Sequence, residues 1–421
     1  TGLKELDELN KRHNTVSIYK AHIELKNKKR EEELGFSRWF LIKFEQNKQI
    51  KKLINSYQKL PQVEIAIPEY RIFEAVVPND TYYSNHWGHN NTAQLPEYQT
   101  NGHTGEGVGT IGFDSHAEEA WENEQGFGLS SIIIAIIDSG VDTDHPDLRL
   151  ISGYDYGDDD SDPDDDSAES GHGTSCSGVA AAIADNDLGT VGIAGGSSVM
   201  PLKIADNNGD MLFSYIENAI AHAADNGAHI ISMSLGADID QGDSPSTDDI
   251  LSYASEQGVL IFAATANNDY DHIHYPANNE NVYSVGAASP CGERKSSTSC
   301  DGEDWWGSNY GVDVQDDRAA VTICAPTILP TTDIGGSGGY SSSDYTMFFN
   351  GTSCATPYAA GVAALLFSKN PSLSANDVIM AMKNTATDME ETGWDRFTGY
   401  GMVNANSALD AVPVSGNPIC F

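Results

Sequence analysis

The chain has 421 residues, 39% of them hydrophobic, which is enough for one large domain with a full core and a smaller companion domain. Its net charge of −39 leaves no basic face for binding phosphates and excludes a nucleic-acid partner. The longest apolar runs, 132–137 and 359–367, fall far short of the roughly 20 residues that span a bilayer. We therefore expect a soluble protein with no membrane partner.

Charge is unevenly distributed along the chain. Residues 1–77 hold 15 Lys or Arg and 11 Asp or Glu, a net of +4, whereas residues 78–421 carry a net of −43. This contrast predicts a domain boundary near residue 77. The opposite net charges of the two parts favour docking of residues 1–77 on residues 78–421. Two independently solvated surfaces would give the same charge distribution.

The first 77 residues are typical of a small α/β domain. Residues 39–44 (WFLIKF) predict a short strand, and apolar residues from Ile50 to Tyr57 recur at the spacing of one helix face. Residues 63–77, interrupted by Pro68, predict a second extended segment. We divide the chain into the small domain at 1–77, a connector and start of the large domain at 78–116, the large domain at 117–412 and a C-terminal tail at 413–421.

The large domain alternates strand and helix patterns. Residues 131–137 form a continuous apolar, β-branched run, typical of a strand buried on both faces, and 199–204, 230–233 and 259–264 repeat it. Helical stretches such as 213–226 lie between these runs. The order predicts an α/β fold with a parallel sheet flanked by helices on both sides.

Three polar residues stand at the ends of buried elements. Asp138 ends the run SIIIAIID, at the sheet edge where such folds build their sites. His172 lies in GHGTSCSG before an apolar helix, and Ser353 lies in NGTSCATP at another helix start. Taken alone, Asp138 is equally typical of a turn cap, His172 of a structural histidine and Ser353 of a helix N-cap. Together, they provide the carboxylate, imidazole and hydroxyl that serine-catalysed peptide hydrolysis requires.

The segments IIDSGVDTDHPDL, GHGTSCSG and NGTSCATP resemble the three signature blocks of the subtilisin, or subtilase, family, in the same order Asp, His, Ser. The resemblance covers about residues 78–412. It implies a secreted serine endopeptidase that cleaves proteins and peptides through an acyl-enzyme. It also implies that residues 1–77 are a propeptide that assists folding, inhibits the site and is removed by self-processing near Val77. We expect a monomer.

The same resemblance implies further site residues. IFAATANND is similar to the block that supplies an oxyanion-binding Asn, here Asn267, although Ala266 stands where Gly is usual. Cys176 is similar to the thiol near the active site of proteinase K relatives. Two short segments would form the edges of the first specificity pocket: Ser234, Leu235 and Gly236 on one side, and Gly209, Asp210 and Met211 on the other.

Acidic residues after the pocket strand, Asp238, Asp240 and Asp243, leave two alternatives. They could attract a basic substrate residue, as in kexin relatives, which would favour a dedicated processing protease. A run of solvated surface acids is the other interpretation. An idle, calcium-binding adhesion module is a third hypothesis, which the intact set of site residues disfavours.

One calcium site is implied by the subtilisin resemblance, because IADNDLGTVG is similar to a loop that binds Ca²⁺ beside the HPDL motif. The ligands carried over are Asp147, the carbonyls of Ile183, Leu188 and Thr190, the side chain of Asn186, and Asp80.

A second calcium site is suggested by the acidic run YDYGDDDSDPDDDSAES, which has no Lys or Arg nearby in sequence. An EF-hand is excluded because Pro163 occupies the required Gly position. By similarity to kexin and furin, the ligands would be Asp155, Asp162 and Asp164.

Six cysteines leave their pairing open. Cys291 and Cys300 flank a short polar loop and are the best candidates for a disulfide in an oxidising compartment. Cys176 and Cys354 are equally consistent with free buried thiols, and Cys324 and Cys420 remain unassigned.

Overall fold

The computed structural model describes residues 4–44, 50–67, 76–123, 125–167 and 171–414. The chain divides into two compact units, Thr1–Glu74 and Ala75–Phe421. This division lies within three residues of the position where the net charge changes sign.

The first unit is a small α/β structure with one antiparallel strand pair. Its described elements are α1 (Lys4–Arg12), β1 (Thr15–Lys20), α2 (Lys28–Leu34), β2 (Phe40–Phe44) and α3 (Ile50–Gln58). Leu53 and Tyr57 of α3 are buried, and the Tyr57 hydroxyl donates to Asn10 Oδ1 at 2.7 Å.

The strand and helix predicted here are present as β2 and α3, but β1 was missed. The predicted extended segment at 63–77 is not a strand where it is described, at 63–67 and 76–77. Its residues 68–75 lie outside the described residues.

The second unit is a doubly wound α/β structure. Its elements are β3 (Leu95–Gln99), β4 (Gly102–Val108), α4 (Ala117–Trp121), β5 (Ile133–Asp138), β6 (Tyr154–Asp155), α5 (His172–Ala181), β7 (Ser198–Lys203), α6 (Phe213–Asp225), β8 (Ile230–Met233), α7 (Pro245–Glu256), β9 (Leu260–Ala264), β10 (Tyr283–Ala288), β11 (Ile323–Pro326), β12 (Leu329–Thr332), β13 (Tyr345–Phe349), α8 (Thr352–Lys369), α9 (Ala375–Thr385) and α10 (Ala405–Ala411).

Seven of these strands form one parallel sheet in the order β11-β10-β9-β8-β5-β7-β6. The predicted strands and helix correspond to β5, β7, β8, β9 and α6, with ends shifted by no more than two residues. The apolar runs become strands because helices cover both sheet faces, so every residue of β7, β8 and β9 is buried.

The predicted connector and start of the large domain, 78–116, contains regular secondary structure and buried residues. Trp87 and Leu95 are buried, and Trp87 Nε1 donates to the Thr327 carbonyl at 2.9 Å. β3 and β4 form an antiparallel hairpin within it. Of the predicted tail, residues 415–421 lie outside the described residues.

Across the described part of the chain, no helix is long and apolar enough to cross a membrane.

Candidate active site

Asp138 and His172 form a hydrogen-bonded pair at the carboxyl edge of the sheet. Asp138 ends β5, and His172 begins α5 after Gly171, whose φ of +95° favours glycine. His172 Nδ1 donates to Asp138 Oδ1 at 2.7 Å, and the backbone N–H of Ser139 donates to the same oxygen at 2.7 Å. A proton on Nδ1 leaves Nε2 free to accept a proton from a substrate or a nucleophile.

The pKa of His172 is raised well above its ordinary value. Burial lowers the pKa of the imidazole. The negative charge of Asp138, together with the interaction with the neighbouring Cys176 thiol, raises the pKa by more than burial lowers it. The Asp138 side chain is only 3% exposed, so little solvent screens its charge from the imidazole.

Ser353 occupies the first turn of α8 and is nearly buried. Cys176 connects it to the pair, because the Cys176 sulfur lies 3.9 Å from His172 Nδ1 and 3.6 Å from the Ser353 carbonyl oxygen. The Ser353 hydroxyl donates to the Ser234 carbonyl at 3.3 Å, and within the described residues it makes no hydrogen bond to His172. In unliganded enzymes the hydrogen bond between a catalytic serine and histidine is often long or misaligned, and it tightens only when substrate binds.

Asn267 lies beside the turn that carries Ser353. Its Oδ1 accepts hydrogen bonds from the Thr352 backbone N–H at 2.8 Å and the Thr352 hydroxyl at 2.9 Å. A Cβ on Gly351 would lie 3.3 Å from Asn267 Nδ2, so this amide group is adjacent to the turn that carries Ser353. Ala266 has a φ of +87°, which explains why glycine is more suitable at this position.

One of the two predicted pocket edges lies directly against Ser353. Ser234, Leu235 and Gly236 follow β8, and the Ser234 hydroxyl donates to the Ser353 carbonyl at 2.9 Å. Gly209, Asp210 and Met211 lie in the loop after β7, where Met211 forms a bridge with Ala205. No described contact links this second segment to Ser353.

The acids after the pocket strand are engaged locally. Asp238 Oδ1 lies 3.0 Å from His272 Nε2. Asp240 Oδ1 accepts from the Asn278 amide at 3.1 Å, and the Asp240 N–H donates to Asp243 Oδ2 at 3.1 Å. These contacts favour a structured surface loop over an acidic specificity pocket.

Asp165 is a supporting residue that the sequence reasoning missed. Its carboxylate accepts from the Ser139 hydroxyl at 2.9 Å and from the Thr174 hydroxyl at 2.7 Å. It therefore links the residue after Asp138 to the first turn of the His172 helix. Burial raises the pKa of Asp165 to about 6. No signal distinguished it in sequence from the solvated acids of the same run.

The residues of the first calcium prediction come together around two buried carboxylates. Asp147 accepts from the Asn186 amide at 2.7 Å and the Thr190 N–H at 3.2 Å, and Asp80 Oδ2 accepts from the Asp185 N–H at 2.9 Å. Asp80 Oδ1 is buried and has no hydrogen-bond partner within the described part of the chain. Burial raises the pKa of Asp147 to about 6 and that of Asp80 above its ordinary value.

These features fit a hard cation with oxygen ligands. The Asn186 oxygen instead accepts from the Leu188 N–H at 2.9 Å, and the Ile183 N–H donates to the Asp147 carbonyl at 2.9 Å. Binding through the Asn186 oxygen would therefore require its amide to turn.

The second calcium prediction does not agree with the structure. Asp155 is buried against Lys203, whose Nζ lies 2.9 Å from Asp155 Oδ2, whereas Asp162 is exposed and Asp164 accepts from the Thr143 N–H at 2.9 Å. Within the described residues, these three carboxylates form no group that could hold a metal ion. Lys203 neutralises Asp155, and nothing in the sequence indicated this pair because Lys203 is distant along the chain but adjacent in the sheet.

Cys291 and Cys300 form a disulfide, with Cα atoms 6.3 Å apart. Cys176, Cys324 and Cys354 are free and buried, and Cys420 lies outside the described residues. Burial raises the pKa of the Cys176 thiol to about 11, so it is a poor nucleophile near neutral pH.

A parallel sheet with a carboxylate–imidazole pair and a helix-start serine at its carboxyl edge defines a serine hydrolase. The subtilase family model matches residues 130–401. The chain belongs to this family and is a serine-type endopeptidase.

Similar proteins agree with this assignment. The chain is 32% identical over 363 residues to the thermophilic serine proteinase of Bacillus sp. (strain AK1), covering 86% of this chain and 76% of the relative. It is 35% identical over 296 residues to thermitase of Thermoactinomyces vulgaris, covering 70% and 92%. The fold also matches a protease of Pseudoalteromonas arctica PAMC 21717 with a TM-score of 0.61 at 23% identity, covering 80% of this chain and 99% of that protease.

Proposed function

We propose that Ser353 is the nucleophile of this endopeptidase, with His172 as general base and Asp138 as its orienting carboxylate. The supporting observation is the 2.7 Å Asp138–His172 hydrogen bond, with Cys176 in contact with both His172 and the Ser353 backbone. As the Ser353 oxygen bonds to the scissile carbonyl carbon, His172 Nε2 takes the hydroxyl proton. It then gives this proton to the leaving amine as the peptide C–N bond breaks, and water hydrolyses the resulting acyl-enzyme.

The oxyanion of the tetrahedral intermediate would be stabilised by Asn267 Nδ2 and the backbone N–H of Ser353. This N–H lies in the first turn of α8, where backbone donors lack intrahelical acceptors and the helix dipole favours negative charge. Protein and peptide substrates would bind in extended form along Ser234–Gly236 and, on the opposite edge, Gly209–Met211.

We infer that residues 1–77 are a propeptide that assists folding and inhibits the site until it is cut off. The separate compact unit Thr1–Glu74 and its opposite net charge support this role. Cleavage near Val77 by the enzyme itself would release it. The Cys291–Cys300 disulfide supports secretion into an oxidising environment, where we expect a monomer.

Structural Ca²⁺ would bind at Asp147 and Asp80, with Asn186 and the carbonyls of the 183–190 loop as further ligands. The buried, unpartnered Asp80 oxygen supports this site. The cation would neutralise the Asp80 and Asp147 carboxylates and crosslink the segment around Asp80 to the 183–190 loop. It would take no part in peptide cleavage.

The test compares the wild-type chain with Ser353→Ala, using Ser252→Ala in α7 as a matched control. We expect the wild type and Ser252→Ala to lose a fragment of about 75–80 residues, set by the domain boundary, and then to hydrolyse casein. Ser353→Ala should remain full length and inactive. Casein hydrolysis by purified Ser353→Ala at the wild-type rate would reject the proposed nucleophile.

A further inference from the structure

Glu303 is a buried carboxylate that connects the β3–β4 hairpin to the nucleophile turn. Its side chain is 1% exposed. It accepts from His103 Nε2 of β4 at 2.9 Å, from Trp306 Nε1 at 2.6 Å and from the Asn350 amide at 3.2 and 3.1 Å, so both of its oxygens are occupied by donors. Trp306 Nε1 and the Asn350 amide can only donate, so both Glu303 oxygens act as acceptors.

His103 is positively charged in the same arrangement. Its Nδ1 lies 2.8 Å from the Pro96 carbonyl oxygen, and its Nε2 lies 2.9 Å from Glu303 Oε1. The Pro96 carbonyl can only accept, so Nδ1 carries a proton. We assign a proton to Nε2 as well, because Glu303 Oε1 also accepts from the Asn350 amide, and the ring is then an imidazolium. The ring is 6% exposed and stacks on Phe348 with a centroid separation of 4.0 Å.

His103, Glu303, Lys295 and Asp301 form a buried cluster. Its net charge is zero only while His103 is protonated. Lys295 and Asp301 are fully buried and lie 3.4 Å apart, and Lys295 Nζ also donates to the Glu303 carbonyl at 2.7 Å. Among the described residues, Glu303 and Asp301 act on His103 directly, and Lys295 lies beside both of them. Asp269, which also acts on Lys295, is itself paired with Arg294 at 2.8 Å, and the Tyr98 ring lies 5.2 Å from the His103 ring. Loss of the His103 proton would leave an uncompensated buried negative charge, which is costly.

The direction of the His103 pKa agrees with this charge count. Burial opposes protonation, but the hydrogen bond to Glu303 and the charges of Glu303 and Asp301 outweigh it, so the pKa of His103 is raised.

The cluster reaches the nucleophile through Asn350. Asn350 begins the turn Asn350–Gly351–Thr352–Ser353, and its side-chain amide is held by Glu303. The rest of the turn is held separately, with Thr327 donating to the Gly351 carbonyl at 2.9 Å and Thr352 donating to Asn267. Glu303 therefore fixes the start of the turn, whereas Asn267 fixes the residue before Ser353.

We propose that His103 and Glu303 are positioning residues, which hold the nucleophile turn through Asn350 while the imidazolium is charged and release it when His103 loses its proton at alkaline pH. The inference rests on the proposed function, because it assumes that Ser353 is the nucleophile. It predicts that kcat decreases at alkaline pH, and that this decrease is caused by loss of the His103 proton rather than by titration of the Asp138–His172 pair.

The test uses His103→Gln, whose amide keeps a donor near the position of Nε2 but does not titrate, and Glu303→Gln, which removes the anion. His116→Asn is the matched control, since His116 also lies near carboxylates, at 3.7 Å from Glu119, but has no link to the turn. The mature enzymes are compared by kcat and KM between about pH 6 and 11, a range that brackets the ordinary His pKa and values raised above it.

For Glu303→Gln, we expect kcat to fall about 10-fold with KM changed less than about twofold, because misplacement of a reacting group affects the chemical step. For His103→Gln, we expect kcat near wild type at neutral pH and loss of the alkaline decrease. His116→Asn should match the wild type. If both cluster variants keep the wild-type kcat and alkaline limb, the inference is rejected.

Fluorophosphonate labelling separates this failure from failure of the proposed function. A wild-type enzyme that is active and labelled at Ser353, with unchanged cluster variants, rejects only the positioning role. A wild-type enzyme labelled elsewhere rejects the proposed nucleophile. If Glu303→Gln fails to fold, the alkaline limb of His103→Gln decides the question.

Discussion

The His172 side chain sets how the enzyme should respond to acid. As the proposed general base, His172 must be neutral to accept the Ser353 proton, and its pKa is raised by Asp138 in spite of burial. Because a raised pKa keeps the ring protonated to higher pH, we expect kcat/KM to fall as the pH is lowered through a pKa above the ordinary value of about 6.5.

Asp138→Asn should move this acid limb to lower pH while lowering kcat by about 10⁴-fold, because the orienting charge is lost. A pH–rate profile of both enzymes checks the shift. An unchanged acid limb in Asp138→Asn would show that Asp138 does not control the His172 pKa.

The Asn267 amide should contribute mainly to kcat. Asn267→Ala removes a donor from the proposed oxyanion site, and we expect kcat to fall about 10²- to 10³-fold with little change in KM, a magnitude that comes from the relative subtilisin. Steady-state kinetics on a peptide substrate measure it. A change confined to KM would instead assign Asn267 to ground-state binding.

Ala266 offers a stability test at the adjacent residue. Its φ of +87° costs an L-residue about 1 kcal/mol, whereas glycine adopts this conformation without strain. We expect Ala266→Gly to raise the free energy of unfolding by up to about 1 kcal/mol, measured by denaturant unfolding of a Ser353→Ala background that does not digest itself. A clear destabilisation would mean that the methyl group contributes packing that outweighs the strain.

Single residues were predictable from sequence only where a local motif marked them. Asp138, His172, Ser353 and Asn267 each lie in a recognisable segment at the end of a buried run. Asp165, Lys203 and Glu303 were not found, because their roles come from contacts with residues such as Ser139, Asp155 and Asn350 that only the folded chain brings near.

At the scale of elements, strands were found where burial on both faces made them uniformly apolar, as in β5 and β9. β10 (YSVGAA) and β12 (LPTT) are equally buried but contain Gly, Ser, Pro or Thr, and nothing in their composition identified them. Their burial comes from packing across the whole unit, which a local pattern does not record.

The disulfide loop gives a prediction for one local segment. Cys291 and Cys300 close a loop with a sequence separation of 9, and the loss of unfolded-state entropy on closing it corresponds to about 2.5 kcal/mol. We expect Cys291→Ser with Cys300→Ser to lower the free energy of unfolding by about this amount, measured by denaturant titration. Equal stability with and without the bond would show that the loop is already ordered by its other contacts.

The loop around Asp147 gives a prediction for metal removal. If Ca²⁺ binds only the folded state, a concentration 100 times Kd adds about 2.7 kcal/mol, so EDTA should lower Tm by several degrees. Asp147→Asn should abolish the calcium dependence of Tm, while Asp162→Asn, an exposed acid that belongs to no metal-binding group among the described residues, should retain it. A wild-type Tm independent of Ca²⁺ would reject the site.

At the scale of the whole molecule, residues 78–421 carry a net charge of −43, and this charge repels itself. Added salt screens such repulsion within about 10 Å at 0.1 M. We therefore expect Tm of the mature enzyme to rise between about 0.05 and 1 M NaCl, checked by scanning calorimetry at fixed Ca²⁺. A falling Tm would mean that the screening of exposed attractive pairs, such as Arg396–Asp271, outweighs the screening of the repulsion.

Labelling of the intact chain by a fluorophosphonate, mapped by mass spectrometry, identifies the reactive serine. We expect one adduct, on Ser353, that abolishes peptide hydrolysis and is absent from Ser353→Ala and Asp138→Asn, because the hydroxyl reacts only when His172 is correctly oriented. An active enzyme with no adduct on Ser353, or with an adduct on another serine, would contradict this expectation.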